Sequence, residues 1–245
     1  MADLPDHTEG PAPQAAVPEG GLSRRRLLGL LGVGGAAVAV GGASGLAGLE
    51  PAAARAGATS DDPVCTLTPE AMEGPYYLPD ERRSDIRDGR GGELLRLVLT
   101  VVDATTCDPI NRALVEIWHA DRQGNYSGFG ATPDDDFLRG GQRTDAAGQV
   151  HFTTLYPGWY PGRTAHIHVK VRTGGDVVHT GQMYFPQRVN DRVYAQRRYQ
   201  HLGTRVTNHQ DSIFNSSGGA QTKLALSRPR NGGGYKGTMT LAVQT

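Results

Sequence analysis

The sequence predicts an all-β sandwich, because short apolar or alternating segments recur between frequent turns from Cys65 to the C-terminus. Runs rich in Val, Ile, Leu, Tyr and Phe are typical of strands. Connections containing Gly and Pro separate these runs at short intervals, and this spacing favours a sandwich over β-α-β units. The predicted strands are, in chain order, 94–103, 113–119, 150–154, 166–171, 177–185 and 238–243.

Local patterns support the individual elements. Residues 94–103 form an apolar-rich run, and the strand at 150–154 follows the turn sequence Asp145-Ala146-Ala147-Gly148. Residues 166–171, His-Ile-His-Val-Lys-Val, alternate polar and apolar side chains as a half-buried strand does. One short helix is predicted at 191–201, with Asp191 as its N-cap.

Residues 1–56 are predicted to be a leader that the mature protein lacks. Residues 1–22 contain mainly Pro, Gly, Ala and acidic residues without periodicity, which is typical of disorder. Arg24, Arg25 and Arg26 precede a Gly- and Ala-rich apolar run, the pattern of a twin-arginine export signal, and Ala54-Arg55-Ala56 matches a cleavage site. We therefore expect a secreted domain at 57–245 with no lasting membrane association. The alternative is an uncleaved membrane anchor.

Charge and cysteine content exclude one class of function and predict a covalent link. The chain has 25 basic and 25 acidic residues, so it has no basic field to attract nucleic acid. Its two cysteines, Cys65 and Cys107, both follow the predicted leader. An even pair in an exported protein predicts a disulfide. A metal-binding thiol pair is the alternative.

A compact group of polar side chains predicts a metal site in the second half of the chain. His166 and His168 are two residues apart in a predicted strand, so their imidazoles point to the same face. Tyr160 precedes them across a Pro-Gly segment, which can direct its phenol toward the same point. Two imidazoles and a phenol aimed at one place are what a metal ion would need.

Six segments occur in a fixed order along the chain, and together they are far more specific than an isolated His-x-His pair. They are Glu73-Gly74-Pro75-Tyr76-Tyr77, Val115-Glu116-Ile117-Trp118-His119-Ala120, Gly124-Asn125-Tyr126, Pro157-Gly158-Trp159-Tyr160, Arg163-Thr164-Ala165-His166-Ile167-His168 and Gln182-Met183-Tyr184-Phe185. In this set the chain resembles the intradiol ring-cleaving dioxygenases, which include the catechol and protocatechuate enzymes. It is most similar to their secreted branch.

The resemblance implies an immunoglobulin-like antiparallel β-sandwich with long loops that holds a non-haem Fe(III) ion. The metal ligands of the family match Tyr126, Tyr160, His166 and His168. Phenolates are hard anionic donors and imidazole is a common iron ligand, so these donor types suit ferric iron. Two phenolates also offset two of its three charges.

The resemblance further implies a small aromatic diol as substrate, cleaved by O2 to a cis,cis-muconate, with plant-derived phenolics as the source. Tyr160 matches the tyrosinate that takes a substrate proton, and Arg163 matches the arginine that stabilises charge on the substrate ring. Gln182 matches an amide beside the bound substrate. Gly74 and Pro75 match a loop that lines the substrate mouth.

Other interpretations of the same residues stay open at this point. A non-catalytic, transthyretin-like sandwich would bind a phenolic ligand or a metal without oxidising it. A zinc hydrolase would use His166 and His168, although no convincing carboxylate base lies near them in sequence. Taken alone, Tyr126 is an ordinary buried tyrosine, Gln182 a structural hydrogen-bond partner and His119 a buried hydrogen-bonded residue. Oligomeric state is not predicted.

Overall fold

The structure is a computed structural model that describes residues 65–79, 82–199, 203–230 and 232–245. These residues form eight strands in two four-stranded sheets, which confirms the all-β fold. The strands are β1 (Leu94–Asp103), β2 (Leu114–Trp118), β3 (Arg139–Arg143), β4 (Gln149–Leu155), β5 (His166–Thr173), β6 (Asp176–Tyr184), β7 (Ala225–Ser227) and β8 (Tyr235–Val243). The predicted leader and export signal at 1–56 lie outside the described residues.

One sheet has the strand order β4-β1-β8-β7 and the other has the order β3-β2-β5-β6. Neighbouring strands are antiparallel except for β1 and β8, which run parallel with Leu95 opposite Tyr235. The expectation of a purely antiparallel sandwich is therefore wrong for this pair. Parallel neighbours need a long crossover connection, and most of the domain separates β1 from β8.

Apolar side chains that alternate along the strands form the core between the sheets. The inward residues of β1 and β5 are almost completely buried, and they are Leu95, Leu97, Leu99, Val101, Ile167, Val169 and Val171. The opposite face of β5 is buried as well, since His166, His168 and Lys170 are at most 4% exposed. Other segments must therefore cover the outer face of β5, where both predicted ligand histidines lie.

Two short α-helices occur in the described residues, α1 (Gln187–Tyr194) and α2 (Ser212–Ser216), together with 3-10 turns at Arg197–Tyr199 and Asn208–Gln210, in place of the single predicted helix. Helix α1 has Pro186 as its N-cap, so the predicted start at Asp191 is wrong. Proline has no N–H to leave unpaired and is disfavoured within a helix, so it suits the boundary before the first turn. Asp191 instead lies within the helix, where it pairs with Arg205 at 2.6 Å.

Strands β3 and β7 were not predicted, because neither has an alternating apolar pattern. Strand β3 has the sequence Arg-Gly-Gly-Gln-Arg. A Cβ atom at Gly140 would lie 2.6 Å from Cγ2 of Ile86, so the close approach of the segment before β1 requires glycine there. Strand β7 has only three residues.

The predicted disulfide is present and joins Cys65 to Cys107, whose Cα atoms are 5.4 Å apart. It ties the segment before β1 to the turn that follows β1. The alternative of a metal-binding thiol pair is thereby excluded for these residues. Among the described residues, the helices are too short or too polar to cross a bilayer.

Replacing both cysteines by serine should lower the free energy of unfolding by about 2–4 kcal/mol, because a cross-link of this span restricts the unfolded chain. The bond joins residues 42 positions apart. Urea unfolding of Cys65→Ser/Cys107→Ser measures the loss, and chemical reduction of the unmutated protein should reproduce it. Equal unfolding midpoints for the oxidised, reduced and mutant proteins would contradict the expectation.

Candidate metal centre

Strand β5 brings the two predicted ligand histidines to one enclosed face. The rings of His166 and His168 have centroids 4.8 Å apart. The Trp118 indole on the neighbouring strand β2 lies flat against the His168 ring, at a centroid distance of 4.9 Å and an interplanar angle of 9°. Trp118 therefore packs as a core residue and fixes the plane of the imidazole.

The two predicted tyrosine ligands reach the same point from separate loops. The Tyr126 hydroxyl lies 3.1 Å from Nε2 of His168 and 3.4 Å from Nε2 of His166. The Tyr160 hydroxyl lies 3.2 Å from Nε2 of His166. Four donor atoms from four residues thus converge, at separations close to those of neighbouring ligands around one metal ion.

Two close backbone contacts bring the tyrosine loops together. Gly124 has φ +83°, and a Cβ atom there would lie 2.6 Å from the Trp159 carbonyl oxygen. A Cβ atom at Gly158 would lie 2.5 Å from the Asp121 carbonyl oxygen, to which the Gly158 N–H donates at 2.9 Å. Only glycine permits both approaches. The loop that carries Tyr126 therefore lies directly against the loop that carries Tyr160.

Burial keeps the two imidazoles neutral. It lowers the pKa of His166 to about 3, with the nearby Arg163 charge adding to the effect, and it lowers the pKa of His168 well below its usual value. Nδ1 of His166 lies 2.7 Å from the Thr164 carbonyl oxygen, which can only accept. The proton of His166 is therefore on Nδ1, and Nε2 presents a lone pair to the centre.

The phenols require a strong positive charge to act as phenolates here. Burial raises the pKa of Tyr126 well above its usual value and also raises the pKa of Tyr160, although Arg163 opposes the rise at Tyr160. Within the described residues, His, Cys, Asp and Glu form no group of three or more able to hold a metal. A metal in this place must therefore use the phenol oxygens, and a highly charged cation fits this donor set.

Arg163 lies beside the donor atoms and is held on three sides. Its Nη1 is 3.4 Å from the Tyr160 hydroxyl, its Nη2 donates to Oε1 of Gln182 at 2.5 Å, and its Nε donates to Asp211 at 3.0 Å. The Tyr184 hydroxyl donates to the same Gln182 oxygen at 2.9 Å. Arg163 thus faces the centre, while the Gln182 carbonyl serves to hold Arg163.

The predicted mouth loop covers this centre. Gly74 has φ +76°, and a Cβ atom there would lie 3.3 Å from Cε1 of His168. Pro75 is exposed on the outer side. Tyr76 stacks on Tyr126 with ring centroids 4.3 Å apart, and the Gln182 amide donates to the Met72 carbonyl at 3.0 Å. The loop therefore shields His168 and the Tyr126 ring from water.

Lys170 fastens the same loop to strand β5. Its ammonium group pairs with Glu73 and lies 3.5 Å from the centroid of the Tyr77 ring. His168 lies two residues before Lys170 on the same face of β5, so one strand carries both this predicted ligand and the attachment of the loop.

The structure brings the four predicted donors and Arg163 together, and the sequence pattern did not indicate three residues that contact this group. Asp211, Tyr184 and Tyr76 contact Arg163, Gln182 and Tyr126, respectively. Tyr76 and Tyr184 belong to the recognised segments, whereas nothing near Asp211 in sequence points to the site. His119 is buried between the Ala120 carbonyl and the Thr154 hydroxyl, as expected of a structural residue.

The comparison with protein families decides what kind of protein this is. The family model described as "Dioxygenase" matches residues 72–214, which is more than half of the chain. The chain belongs to the intradiol ring-cleavage dioxygenase family.

The curated relatives of this family member are named for action on catechols. A chlorocatechol 1,2-dioxygenase from Cupriavidus pinatubonensis is 29% identical over 47% of this chain and 53% of its own length. Catechol 1,2-dioxygenase 2 from Acinetobacter lwoffii is 32% identical over 44% of this chain and 47% of its own length. The chain spans about half the length of the curated relatives it matches.

Solved structures match the dioxygenase fold over a larger share of the chain. An intradiol ring-cleavage dioxygenase from Tetranychus urticae is 36% identical with a TM-score of 0.69, covering 74% of this chain and 95% of its own. The dioxygenase domain of a dioxygenase carbohydrate-binding protein fusion from the cellulolytic bacterium Streptomyces sp. is 31% identical with a TM-score of 0.56. It covers 74% of this chain and 99% of its own.

The buried His119 should make folding stability depend on pH. Burial lowers its pKa to about 4 from the usual 6.5. The unfolded chain therefore takes up this proton first on acidification. Neutral His119 therefore gives its full stabilisation at pH values above its pKa in the unfolded chain. This stabilisation is lost as the pH falls toward its pKa in the folded protein, by at most about 1.4 kcal/mol per pH unit.

Urea unfolding of the metal-stripped protein between about pH 7 and pH 5 tests this linkage. The variant His119→Gln should lose less stability over that interval than the unmutated protein, because it has one fewer buried imidazole. Parallel pH profiles for the two proteins would show that His119 carries no such linkage.

Proposed function

We propose that this chain is a non-haem Fe(III) enzyme that uses O2 to open catechol-type rings between the two hydroxyl-bearing carbons, giving cis,cis-muconate products. The observation that carries the proposal is the convergence of the Tyr126, Tyr160, His166 and His168 donor atoms in a buried site of a family member. Catechol plus O2 contains all the atoms of cis,cis-muconic acid, so no further reductant is needed.

The donor set fits the ferric ion that the family implies. Tyr126 and Tyr160 would supply two phenolates, and His166 and His168 would supply two neutral imidazole nitrogens. When bound, ferric iron would draw electron density from a chelated catechol and make the ring reactive toward O2. A zinc hydrolase is disfavoured, because two phenolates are unusual zinc ligands.

Tyr160 is the residue best placed to accept a substrate proton. Its phenol is less buried than that of Tyr126, and Arg163 lies beside its oxygen at 3.4 Å. The neighbouring guanidinium stabilises the phenolate form of Tyr160, the form that can accept a proton.

Arg163 would then stabilise negative charge on the bound ring. Its guanidinium is held in advance by Gln182 and Asp211, so it does not have to reorganise when charge develops. The loop from Met72 to Tyr77 keeps water from His168 and the Tyr126 ring, which strengthens this electrostatic interaction. Gly74 and Pro75 would line the entrance through which the substrate reaches the centre.

The named relatives support a catechol-type substrate class, since they include catechol and chlorocatechol 1,2-dioxygenases. The Streptomyces domain belongs to a fusion with a carbohydrate-binding protein from a cellulolytic bacterium. We further propose that the mature chain, 57–245, is exported and acts outside the cell on plant-derived phenolics. Support comes from this structural neighbour and from the twin-arginine pattern at Arg24, Arg25 and Arg26.

Incubation of the iron-loaded protein with catechol and O2 tests the proposed reaction. We expect one O2 to be consumed per catechol and cis,cis-muconate to appear in the mass spectrum. A semialdehyde product would indicate cleavage outside the diol, and binding of catechol without product would favour the non-catalytic, transthyretin-like alternative. Either result would overturn the proposal.

Tyr126→Phe should lose at least about tenfold in iron content and in O2 consumption with catechol, because it removes one of two anionic donors. Tyr235→Phe is the matched control, since Tyr235 is also a buried tyrosine but its hydroxyl has no hydrogen-bond partner among the described residues. The control should keep its iron and its activity. Equal iron content in both variants would remove Tyr126 from the ligand set.

Gly74→Ala should impair the centre, whereas Gly89→Ala should not. Both glycines have a left-handed backbone, with φ +76° and +70°, so each substitution should cost about 1–2 kcal/mol of stability. Only at Gly74 would the new Cβ meet the His168 ring, at 3.3 Å, whereas at Gly89 it would have no atom of the described, non-neighbouring residues within 4 Å. Iron content and turnover should therefore fall in Gly74→Ala alone. An equal fall in iron content and turnover in both variants would show that the approach of Gly74 to His168 is not the cause.

A further inference from the structure

Asp211 is buried in the loop before helix α2, far in sequence from every residue that the family motifs mark. Its side chain has no solvent exposure. The described contacts of its two carboxylate oxygens fall into two separate sets, which allows the functions of the two oxygens to be distinguished.

Oδ1 of Asp211 has a structural function. It accepts from the backbone N–H groups of Ile213 at 2.9 Å and Phe214 at 3.1 Å. These bonds satisfy the first amides of helix α2, as an aspartate N-cap does. This function would be served equally by asparagine or serine.

Oδ2 of Asp211 points the other way, toward the candidate metal centre. It accepts from Nε of Arg163 at 3.0 Å and from the backbone N–H of Thr164 at 2.9 Å. Charge-assisted bonds of this kind are stronger than neutral ones and fix the plane of a guanidinium. The same oxygen therefore sets both the Arg163 side chain and the backbone of the next residue.

Thr164 links this carboxylate to the histidine ligand. Its carbonyl accepts from Nδ1 of His166 at 2.7 Å, and its hydroxyl donates to Oδ1 of Asn208 at 2.9 Å. The peptide that orients His166 is thus held from both sides by residues of the 208–211 turn. Gln182 holds the opposite edge of the Arg163 guanidinium.

From these contacts we infer that Asp211 is a positioning residue for the dioxygenase reaction, which acts by holding the Arg163 guanidinium against the centre through Oδ2. The inference rests on the proposed function, because Arg163 gains its catalytic role only there. Misplacement of a catalytic group by about 1 Å can cost a hundredfold in rate, so the loss of one bond to Arg163 should be measurable in turnover.

Asp211→Asn is the decisive variant. Asparagine caps helices as well as aspartate does, so its oxygen can keep the bonds to Ile213 and Phe214. Its amide would then place N–H groups against the N–H donors of Arg163 and Thr164, and the negative charge is lost. Asp145→Asn is the matched control, because Asp145 is exposed and accepts from two turn amides, at 2.9 Å and 2.8 Å.

Steady-state turnover of catechol per bound iron is the first readout. Asp211→Asn should lower kcat by about ten- to a hundredfold with KM changed less than about threefold, since Arg163 acts on charge in the transition state. Asp145→Asn should match the unmutated protein. If Asp211→Asn does not fold, Asp211→Ser keeps a capping hydroxyl and tests the same loss of Oδ2.

A double-mutant cycle separates positioning from a general loss of structure. In an Arg163→Gln background, Asp211→Asn should lower kcat/KM by less than about threefold, because the residue through which it acts is already gone. Full additivity, or a loss of less than threefold in the single variant, would overturn the inference.

Failure of the proposed function would be recognised separately, since the unmutated iron-loaded protein would then give no cis,cis-muconate. In that case, a crystal structure of Asp211→Asn still tests whether Asp211 holds the Arg163 guanidinium in place. Displacement of the Arg163 guanidinium from its place beside Tyr160 supports the inference. An unmoved guanidinium overturns it.

Discussion

Burial of strand β5 on both faces is the constraint on which the candidate site depends. Its inward side chains, Ile167, Val169 and Val171, anchor the strand in the sandwich core. Its outward side chains, His166 and His168, are buried as well, and the loop that carries Gly74 covers His168. Exposed imidazoles would be hydrated and partly protonated near neutral pH. Enclosure keeps them neutral and directed at two phenols, which is what a metal centre requires.

Charge balance explains why these donors suit a ferric ion. The positive charge of Arg163 is matched by the buried Asp211 carboxylate at 3.0 Å. This pair contributes little net charge, so ionisation of Tyr126 and Tyr160 in the same buried region needs a separate cation. A highly charged metal would meet that need, while the Arg163–Asp211 pair would remain available to respond when charge develops on a substrate ring.

The sequence was sufficient for the parts of the site that are encoded locally. The alternation around His166 and His168 predicted both the strand and the shared face, and the ordered motifs located Tyr126, Tyr160 and Arg163. It was insufficient for contacts that arise only on folding. Asp211 lies 48 residues from Arg163, and no local pattern indicates that the turn before α2 packs behind the centre.

The fold shows the same division between local and long-range information. Strands with regular apolar alternation were predicted, whereas β3, which contains Gly140 and Gly141, has a sequence that resembles a turn. The start of helix α1 was misplaced because Asp191 is a good N-cap by residue type. In the folded chain its carboxylate is engaged by Arg205 instead, and Pro186 marks the start of the helix.

The visible absorption spectrum of the iron-loaded protein, recorded without O2 before and after addition of catechol, tests the central claim most directly. Phenolate ligands on ferric iron predict a red-brown charge-transfer band that shifts when catechol binds. Metal analysis on the same sample should find iron. A protein that stays colourless after ferric reconstitution, with no spectral change on adding catechol, would contradict the assignment of Tyr126, Tyr160, His166 and His168 as a ferric site.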